Sequence, residues 1–281
     1  MTRLAGARVA LLEARLASEI TDLVRREGGD PISAPAVFEA RLDVTALIPV
    51  LIDDIREGRV TVVVLLTGAG INSLFAQAEE IGYAARLTDA LSSVTTVCRG
   101  PKPAAALRRL DIPVRGAVQP PHTTRELLAA LASVTVTGEG TVVLCDGGRA
   151  PALVDALTNR GARVQELRSY EWQLPADVGP LEQLIRDLSH DCIDAVAFTT
   201  QVQVRHLFAV ATRLDKQDEL RHALAYRTVV GSIGPTCSAV LGEFGVVPHV
   251  TASPPRMRPL ITAIGAALAA RLHTPGEVGT A

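Results

Sequence analysis

The chain of 281 residues is long enough for one large domain or two of ordinary size. Its formal net charge of −2 argues against general affinity for nucleic acid, which needs a concentrated positive field. No apolar stretch reaches the roughly 18 residues of a membrane-spanning helix, and arginines interrupt the apolar N-terminal segment, unlike in a signal peptide. The composition therefore predicts a globular cytoplasmic protein that binds neither nucleic acid nor a membrane.

The cysteines and histidines form no pattern typical of a metal site. The four cysteines are widely spaced without a C-x-x-C pair, and the six histidines share no ligand spacing. A structural zinc and a disulfide framework are therefore not expected, and a reducing compartment fits this cysteine usage. We expect no bound metal.

The predicted elements alternate along the chain between short apolar strands and amphipathic helices. The clearest strand–loop–helix segments, in chain order, are 8–29, 60–75, 97–113, 141–162, 193–208 and 232–248. Such alternation is typical of βαβ units, in which a parallel sheet carries helices on both faces. Ligands of these sheets bind beyond the carboxyl ends of the strands, at the loops before the helices. We therefore expect a binding site at the loops 13–16, 67–71, 99–103, 146–150, 200–203 and 234–237.

The sequence contains two copies of one pattern. Segments 60–75 and 193–208 align without a gap at a shift of 133 residues, and each reads as a strand, a threonine and a helix ending in Leu-Phe. The same shift places segment 8–29 on segment 141–162. A shift of 134 aligns two Gly-Pro loops later in the copies. Three matches in the same order predict a tandem duplication.

The loop in "LLTGAGINSLF" (65–75) approaches a dinucleotide-binding fingerprint, since it places G-x-G-x-x-S directly after a strand. The equivalent loop of the second copy, "TTQVQV" (199–204), has no glycine although the strand and helix recur. The fingerprint also belongs in the first βα unit of a domain, and the first unit here has no glycine pair. No P-loop, nucleophile elbow or Ser-His-Asp arrangement occurs. We therefore prefer a loop whose backbone amides face an anion, with a dinucleotide site and a plain tight turn as alternatives.

Five segments share their order and their motifs with a known family. "AVAFTTQVQVRHLF" (195–208) is close to a strand that ends in Phe-Thr-Ser before a helix, and "VGSIGPTCSAVLGEFGVVPHVTASPP" (230–255) looks like an Ile-Gly-Pro-Thr-Thr pattern. "LVDALTNRGARVQELRSYEWQLP" (153–175) is similar to a helix, glycine, strand and tyrosine segment. The glycine loop, followed by "VCRGPKPAAALRRLDIP" (97–113), looks like a bacterial branch. In their order along the chain, these segments resemble those of the uroporphyrinogen-III synthases of tetrapyrrole biosynthesis. The resemblance extends over about residues 5–270.

The resemblance implies an α/β fold of two doubly wound, flavodoxin-like parallel-sheet domains, internally duplicated and joined by a two-stranded β ladder. In this family the domains are not divided at the repeat boundary, because the first βαβ unit belongs with the C-terminal part. The predicted domains are therefore 1–33 with 175–281, and 41–163. Segments 34–40 and 164–174 are the predicted ladder.

The resemblance also implies a reaction. The family closes the linear tetrapyrrole hydroxymethylbilane into uroporphyrinogen III, with loss of water, inversion of ring D and no cofactor. The substrate is already reactive, since loss of its hydroxyl gives an azafulvene, and uncatalysed closure gives the uninverted isomer. Catalysis is therefore a matter of conformation and orientation. The implied protein is a monomeric lyase, and the implied partner is hydroxymethylbilane handed over by its upstream synthase.

The site residues follow from the same resemblance. Tyr170 is the catalytic candidate, an acid that assists departure of the hydroxyl, and packing within the ladder is its alternative role. The substrate-binding candidates all lie in loops before helices: Thr67, Gly68, Gly100, Gly147, Arg149, Thr200, Gly234 and Thr236. A threonine at a strand end can equally cap its own helix. Weaker candidates for carboxylate contacts, with a solvated side chain as the alternative, are Arg15, Lys102 and Arg256.

Other functions compete with the synthase. Some relatives carry a synthase-like domain fused to a DNA-binding winged helix, so the main rival is a non-catalytic module that binds tetrapyrroles or regulates. We expect no winged helix here, because the chain ends at "HTPGEVGTA" (273–281). A periplasmic-type two-domain binding protein is a third alternative, which the lack of a signal peptide disfavours. The sequence also departs from the family pattern, with Cys237 in place of a second threonine, which weakens single-residue roles.

Overall fold

The computed structural model of the protein describes residues 4–273. Its strands are β1 (Arg8–Leu11), β2 (Asp30–Ser33), β3 (Phe38–Arg41), β4 (Val62–Leu65), β5 (Thr95–Cys98), β6 (Gly116–Ala117), β7 (Gly140–Leu144), β8 (Arg163–Leu167), β9 (Tyr170–Gln173), β10 (Ala195–Phe198), β11 (Val229–Ser232) and β12 (Val250–Thr251). Its helices are α1 (Ala17–Arg26), α2 (Leu47–Arg56), α3 (Gly68–Glu80), α4 (Ala84–Ser93), α5 (Pro101–Arg109), α6 (Thr124–Leu131), α7 (Pro151–Asn159), α8 (Gly179–Ser189), α9 (Gln201–Arg213), α10 (Gln217–His222), α11 (Pro235–Glu243) and α12 (Met257–His273), with a π-helical turn at Ala223–Arg227. The outermost parts of the first predicted domain, residues 1–3 and 274–281, lie outside the described residues.

The strands form two five-stranded sheets and a two-stranded ladder. One sheet has the order β2-β1-β10-β11-β12, the other has the order β8-β7-β4-β5-β6, and β3 pairs with β9. All pairings within the two larger sheets are parallel. The predicted fold class, α/β with two doubly wound parallel sheets and a ladder, is therefore confirmed.

The chain divides into two compact units, each built around one of the larger sheets. Unit 1 contains the chain up to Phe38 and the chain from Gln173 onwards, and unit 2 contains Glu39–Trp172. Both changes of unit fall within the ladder strands, β3 and β9.

The two larger sheets are buried on both faces because their central strands are apolar at every position. In β4, Val63 and Leu65 pack into one core cluster, and Val62 and Val64 pack into another. Successive residues of a strand point to opposite faces, so an uninterrupted apolar run supplies both cores. Strand β10 follows the same pattern in unit 1.

The two copies of the duplication share element boundaries and even single hydrogen bonds. Both ends of β10 and of α9 lie 133 residues after those of β4 and α3. In unit 2 the Ser73 hydroxyl donates to the Ser169 carbonyl oxygen at 2.9 Å. In unit 1 His206 Nδ1 lies 2.6 Å from the Ala36 carbonyl oxygen, and both residues are the counterparts of the unit 2 pair. The two copies therefore also share a side-chain hydrogen bond from a helix, α3 or α9, to the segment that follows an edge strand, β8 or β2.

Each sheet combines strands from both copies. β1 and β2 belong to the first copy, but β1 pairs with β10 of the second. β7 and β8 belong to the second copy, but β7 pairs with β4 of the first. Replacing every strand by its counterpart converts the order of one sheet into that of the other. The copies have therefore exchanged their first βαβ units, which places equivalent loops at equivalent positions in both units.

Candidate functional site

In unit 2 three loops meet at the carboxyl end of the sheet, where the strand order switches. β4 lies between β5 and β7, and the chain leaves β4 toward β5 before it returns as β7 on the other side. Such a switch point is where open α/β sheets bind ligands. Thr67 and Gly68 follow β4. Gly100 follows β5 and Gly147 follows β7, so the structure brings these four candidates to one end of the sheet.

Thr67 caps helix α3, whose first turn contains the glycines of the sequence motif. Thr67 Oγ1 accepts a hydrogen bond at 3.2 Å from the amide two residues further on. A Cβ at Gly68 would lie 3.0 Å from the Lys102 carbonyl oxygen, and one at Gly70 would lie 3.2 Å from that of Cys145. The glycines therefore allow the start of α3 to approach the loops after β5 and β7. They belong to a helix and not to the tight turn that was one alternative.

An ion pair connects the loops on either side of β4. Arg99 Nη2 lies 2.8 Å from Asp146 Oδ2, and these side chains are 29% and 27% exposed. Lys102 is exposed in the first turn of α5 and lies at the same end of the sheet. In the sequence Arg99 and Asp146 lie in predicted loops before helices, but no motif gives either of them a role. The only sequence feature that could have indicated this ion pair is the opposite charge of two residues in two such loops.

The loop after β7 packs against two aromatic residues. Gly147 has a φ of +86°, and a Cβ there would lie 2.5 Å from Trp172 Nε1 and 2.7 Å from Tyr170 Cε2. Trp172 Nε1 donates to the Asp146 carbonyl oxygen at 2.8 Å. The Tyr170 and Trp172 rings meet edge to face, with 5.2 Å between their centroids. Tyr170 is 2% exposed, so the catalytic candidate lies in the interior, directly against Gly147.

Arg149 is already paired with a carboxylate. Its Nε donates to Glu166 Oε2 at 3.2 Å, although its side chain is 78% exposed. Glu166 Oε1 also accepts from the Ala150 amide at 2.7 Å, at the start of α7. The Ala150 amide, with help from Arg149, holds the pKa of Glu166 below its ordinary value, although partial burial acts in the opposite direction. A substrate carboxylate at this helix start would therefore compete with Glu166.

In unit 1 Thr200 caps α9 through a reciprocal pair of hydrogen bonds. Thr200 Oγ1 accepts from the Gln203 amide at 3.3 Å, and Gln203 Oε1 accepts from the Thr200 amide at 3.2 Å. The Gln203 side chain is fully buried and also donates to Thr199 Oγ1 at 2.8 Å. The Thr199 hydroxyl in turn donates to Glu13. This network lies at the switch point of the sheet, between β1 and β10, and no sequence motif predicted it.

The two copies differ here in a way that explains the glycine motif. The shift of 133 makes Gly70 the counterpart of Gln203, and an acid follows the neighbouring strand in each unit, Glu13 after β1 and Asp146 after β7. In unit 1 the Gln203 side chain fills the space between the acid and the start of the helix. In unit 2 the glycine leaves that space to the approaching backbone, and the acid pairs with Arg99 instead.

The remaining candidates of unit 1 lie at the carboxyl end of its sheet. Gly234 is the N-cap of α11 and has extended backbone, as Gly100 has at the start of α5. Thr236 is exposed in the first turn of α11. Arg15 is exposed in the loop after β1, and Arg256 is exposed in the loop after β12. The structure thus assigns every candidate to a loop at a carboxyl strand end or to the first turn of the helix after it, with the exception of Tyr170 in the ladder.

Both capping threonines retain a hydroxyl hydrogen for a ligand. The oxygen of Thr67 and that of Thr200 each accept one amide of their own helix. Among residues 4–273, neither hydroxyl hydrogen has an acceptor. Capping the helix and donating to a ligand were predicted as alternative roles of these threonines. The two roles are compatible, because one hydroxyl can accept and donate at once.

The cysteines supply no reactive thiol at these loops. Burial raises the pKa of the Cys98 and Cys145 thiols to about 12 and that of Cys237 to about 11, so these thiols stay protonated near neutral pH. In the part of the chain that the structure describes, no group of three or more His, Cys, Asp or Glu residues is arranged to hold a metal ion. None of the helices described is long and apolar enough to span a membrane.

The fold and the loops define a class of protein, the internally duplicated α/β proteins in which helices begin at the carboxyl ends of two parallel sheets. Within this class, the sequence profile of the family described as uroporphyrinogen-III synthase HemD matches residues 18–262. The chain belongs to this family, as the resemblance of its motifs predicted.

The chain is also similar to individual proteins. The chain is 31% identical over 246 residues to "Uncharacterized protein YjjA" of Bacillus subtilis (strain 168), covering 86% of this chain and 89% of that protein. A mutant uroporphyrinogen III synthase from the extremely thermophilic bacterium Thermus thermophilus is 26% identical with a TM-score of 0.76, covering 94% of this chain and 100% of that one. Uroporphyrinogen-III synthetase from Helicobacter pylori 26695, 14% identical with a TM-score of 0.52 over 95% of this chain and 100% of that one, shares the fold alone.

The environment of Gly147 yields a stability prediction. Gly147→Ala forces a side chain into positive φ and against both aromatic rings, so we expect a loss of about 2–4 kcal/mol in the free energy of unfolding. The emission of Trp172, the only tryptophan in the chain, should change in the folded state, since its contacts with the loop are displaced. Urea unfolding followed by fluorescence measures both effects.

The neighbouring glycine supplies the control for this experiment. A Cβ at Gly148 would meet no atom within 4 Å, so Gly148→Ala should leave both the emission and the stability close to those of the parent protein. Equal behaviour of the two variants would contradict the close packing around Gly147.

Proposed function

We propose that the protein is a uroporphyrinogen-III synthase, which cyclises hydroxymethylbilane with loss of water and inversion of ring D. The observation that carries this proposal is the pair of equivalent helix starts at Thr67 and Thr200, each with a hydroxyl hydrogen available to a carboxylate, in a member of this family. The substrate is a polycarboxylate, which such donors suit. We further propose a cytoplasmic monomer that receives its substrate from the upstream synthase.

The reaction requires positioning more than chemical activation. The substrate hydroxyl leaves as water, and the resulting azafulvene is electrophilic at the former hydroxymethyl carbon. Free in solution, ring D closes through its unsubstituted carbon and gives the uninverted isomer. Inversion requires that the substituted carbon of ring D reach the azafulvene first, through a spiro intermediate. Holding that geometry can supply several kcal/mol, and no residue need form a covalent bond to the substrate.

The loops at the carboxyl ends of the sheets supply the contacts in this proposal. The hydroxyls of Thr67, Thr200 and Thr236 would donate to substrate carboxylates, and the positive helix starts at Gly100 and Gly234 would attract them. Further contacts would come from Gly68, Gly147 and Arg149, although Arg149 must share its guanidinium with Glu166. The exposed cations Arg15, Lys102 and Arg256 would act as longer-range attraction for the substrate.

Tyr170 is proposed as the acid that protonates the departing hydroxyl. A tyrosine that is 2% exposed can reach a substrate only if the ring or the Gly147 loop moves. The alternative role, packing that holds the Gly147 loop, requires only the ring. The two roles therefore differ in whether the phenol oxygen matters.

The product isomer tests the proposed activity directly. The purified protein is mixed with hydroxymethylbilane freshly made by its upstream enzyme, and the oxidised products are resolved by isomer. We expect mostly uroporphyrin III, against uroporphyrin I in a control with heat-inactivated protein. Uroporphyrin I at the level of that control would reject the synthase and leave the rival function, a non-catalytic module that binds tetrapyrroles or regulates.

Tyr170→Phe separates the two roles of that residue. The variant keeps the ring contacts with Gly147 and Trp172 and removes only the hydroxyl, so an acid role predicts a fall in kcat of about 100-fold or more. Tyr226→Phe, at a tyrosine that is 72% exposed in unit 1, is the matched control. An unchanged kcat for Tyr170→Phe would show that Tyr170 acts only by packing against the Gly147 loop.

A further inference from the structure

The Arg99–Asp146 ion pair of unit 2 lies where a ligand of this sheet is expected. Arg99 is the first residue after β5, and Asp146 is the second residue after β7. Because β4 lies between β5 and β7, an ion pair between the loops that follow them crosses the carboxyl end of β4. Open α/β sheets bind ligands at such a switch point. The ion pair is therefore at the switch point itself, beside the loop that leads into α3.

Most of the Arg99 guanidinium is available to a second partner. Its Nη2 lies 2.8 Å from Asp146 Oδ2, and within residues 4–273 no residue other than Asp146 pairs with this side chain. A guanidinium carries five N–H donors in a planar fork that matches the two oxygens of a carboxylate. The Arg99 side chain is 29% exposed, so solvent reaches it. A carboxylate from outside the protein can therefore reach it as well.

Unit 1 has an apolar residue at the equivalent position. A shift of 134 makes Ile233 the counterpart of Arg99. The Arg99 amide donates to the Leu65 carbonyl oxygen at 3.0 Å. The Ile233 amide donates at the same distance to that of Phe198, the counterpart of Leu65. Ile233 packs against the core of unit 1, so the loop after this strand forms without an arginine, and the fold alone does not explain Arg99.

A second hydrogen-bond donor lies beside the ion pair. Thr67 is the second residue after β4, and its hydroxyl hydrogen has no acceptor among the residues described. Gly68 and Gly70 let the start of α3 approach the loops after β5 and β7, which are the loops that carry Arg99 and Asp146. The free N–H groups of the guanidinium and the free hydroxyl hydrogen therefore belong to one group of three adjoining loops.

The loop that carries Asp146 is bound to Trp172, the only tryptophan in the chain. Trp172 Nε1 donates to the Asp146 carbonyl oxygen at 2.8 Å, and the Trp172 amide donates to the Gly147 carbonyl oxygen at 3.2 Å. A ligand that separates the Asp146 carboxylate from Arg99 acts on a residue that the indole contacts. The emission of Trp172 should therefore report events at the ion pair.

We propose that Arg99 binds a carboxylate of the substrate, and that Asp146 takes this place on the guanidinium in the free protein. The substrate carboxylate would pair with Arg99 in place of Asp146, next to the Thr67 hydroxyl. This inference rests on the proposed function and deepens it, because it gives the polycarboxylate substrate a charged partner in unit 2 at a position where unit 1 has Ile233.

Quenching of Trp172 emission by uroporphyrin III, an unreactive polycarboxylate tetrapyrrole, tests this site in the full-length protein without turnover. We expect saturable quenching of the parent protein. Arg99→Gln removes the charge and Arg99→Ile introduces the unit 1 residue, so both should raise the Kd about tenfold through the loss of a charged hydrogen-bond donor. Asp146→Asn should lower the Kd about threefold, because it removes the carboxylate that the ligand has to displace.

The control variant changes an arginine outside these loops. Arg109→Gln makes the same change of charge at an exposed position at the end of α5 and should leave the Kd unchanged. An ion pair that only holds two loops together predicts a higher Kd in Arg99→Gln and Asp146→Asn alike. That result, quenching that never saturates, or an equal Kd for Arg99→Gln and Arg109→Gln would overturn the proposal.

The product assay separates this proposal from the proposed function. Binding that depends on Arg99, in a protein that forms no uroporphyrin III, would reject the synthase and retain the carboxylate site. Formation of uroporphyrin III with a KM and a Kd that Arg99→Gln leaves unchanged would retain the synthase and reject the site.

Discussion

The hydrogen bond from a helix amide to the threonine at the end of the preceding strand is the interaction on which the candidate site depends. Thr67 and Thr200 end the loops after the central strands β4 and β10, and each hydroxyl oxygen satisfies one amide at its helix start. The cap fixes where the helix begins and therefore where the remaining amides point. Because the same oxygen still carries a hydrogen, the residue that builds the helix start can also bind a ligand there.

Duplication followed by exchange placed this cap twice, and later divergence made its two surroundings different. Unit 1 buries Gln203 beside Glu13 and Thr199, which covers the start of α9 with a side-chain amide. Unit 2 has Gly70 at that position, which lets the loop after β7 approach α3, and Gly68 does the same for the loop after β5. Arg99 pairs with Asp146 across β4. The glycines that resemble a nucleotide fingerprint are explained by this close packing. Two similar but unequal surfaces suit the proposed substrate, whose pyrrole rings must be treated unequally.

The features predictable from the sequence were local or repeated. The apolar run that forms β4 and the threonine after it predicted the strand and the helix start, and the shift of 133 carried both to β10 and α9. The hydrogen bond from Thr199 to Glu13 was not predictable, because it joins residues 186 positions apart. The burial of Tyr170 likewise depends on Gly147 and Trp172, which meet it only in the folded unit. That β1 lies beside β10 followed from the family resemblance, since strand periodicity says nothing about which copy a strand joins.

The central claim is that the two capping hydroxyls bind substrate, and steady-state kinetics with hydroxymethylbilane on serine and valine variants of Thr67 and Thr200 test it most directly. Serine keeps the hydroxyl and valine keeps only the shape. We expect KM close to the parent value for Thr67→Ser and Thr200→Ser, and KM raised about fivefold or more for Thr67→Val and Thr200→Val, with a larger share of uroporphyrinogen I in the product. Each valine should also cost about 1 kcal/mol of stability through the lost cap, which denaturation measures separately. An unchanged KM and isomer ratio in the doubly substituted valine variant, with only that loss of stability, would show that the hydroxyls are caps alone and would contradict the account.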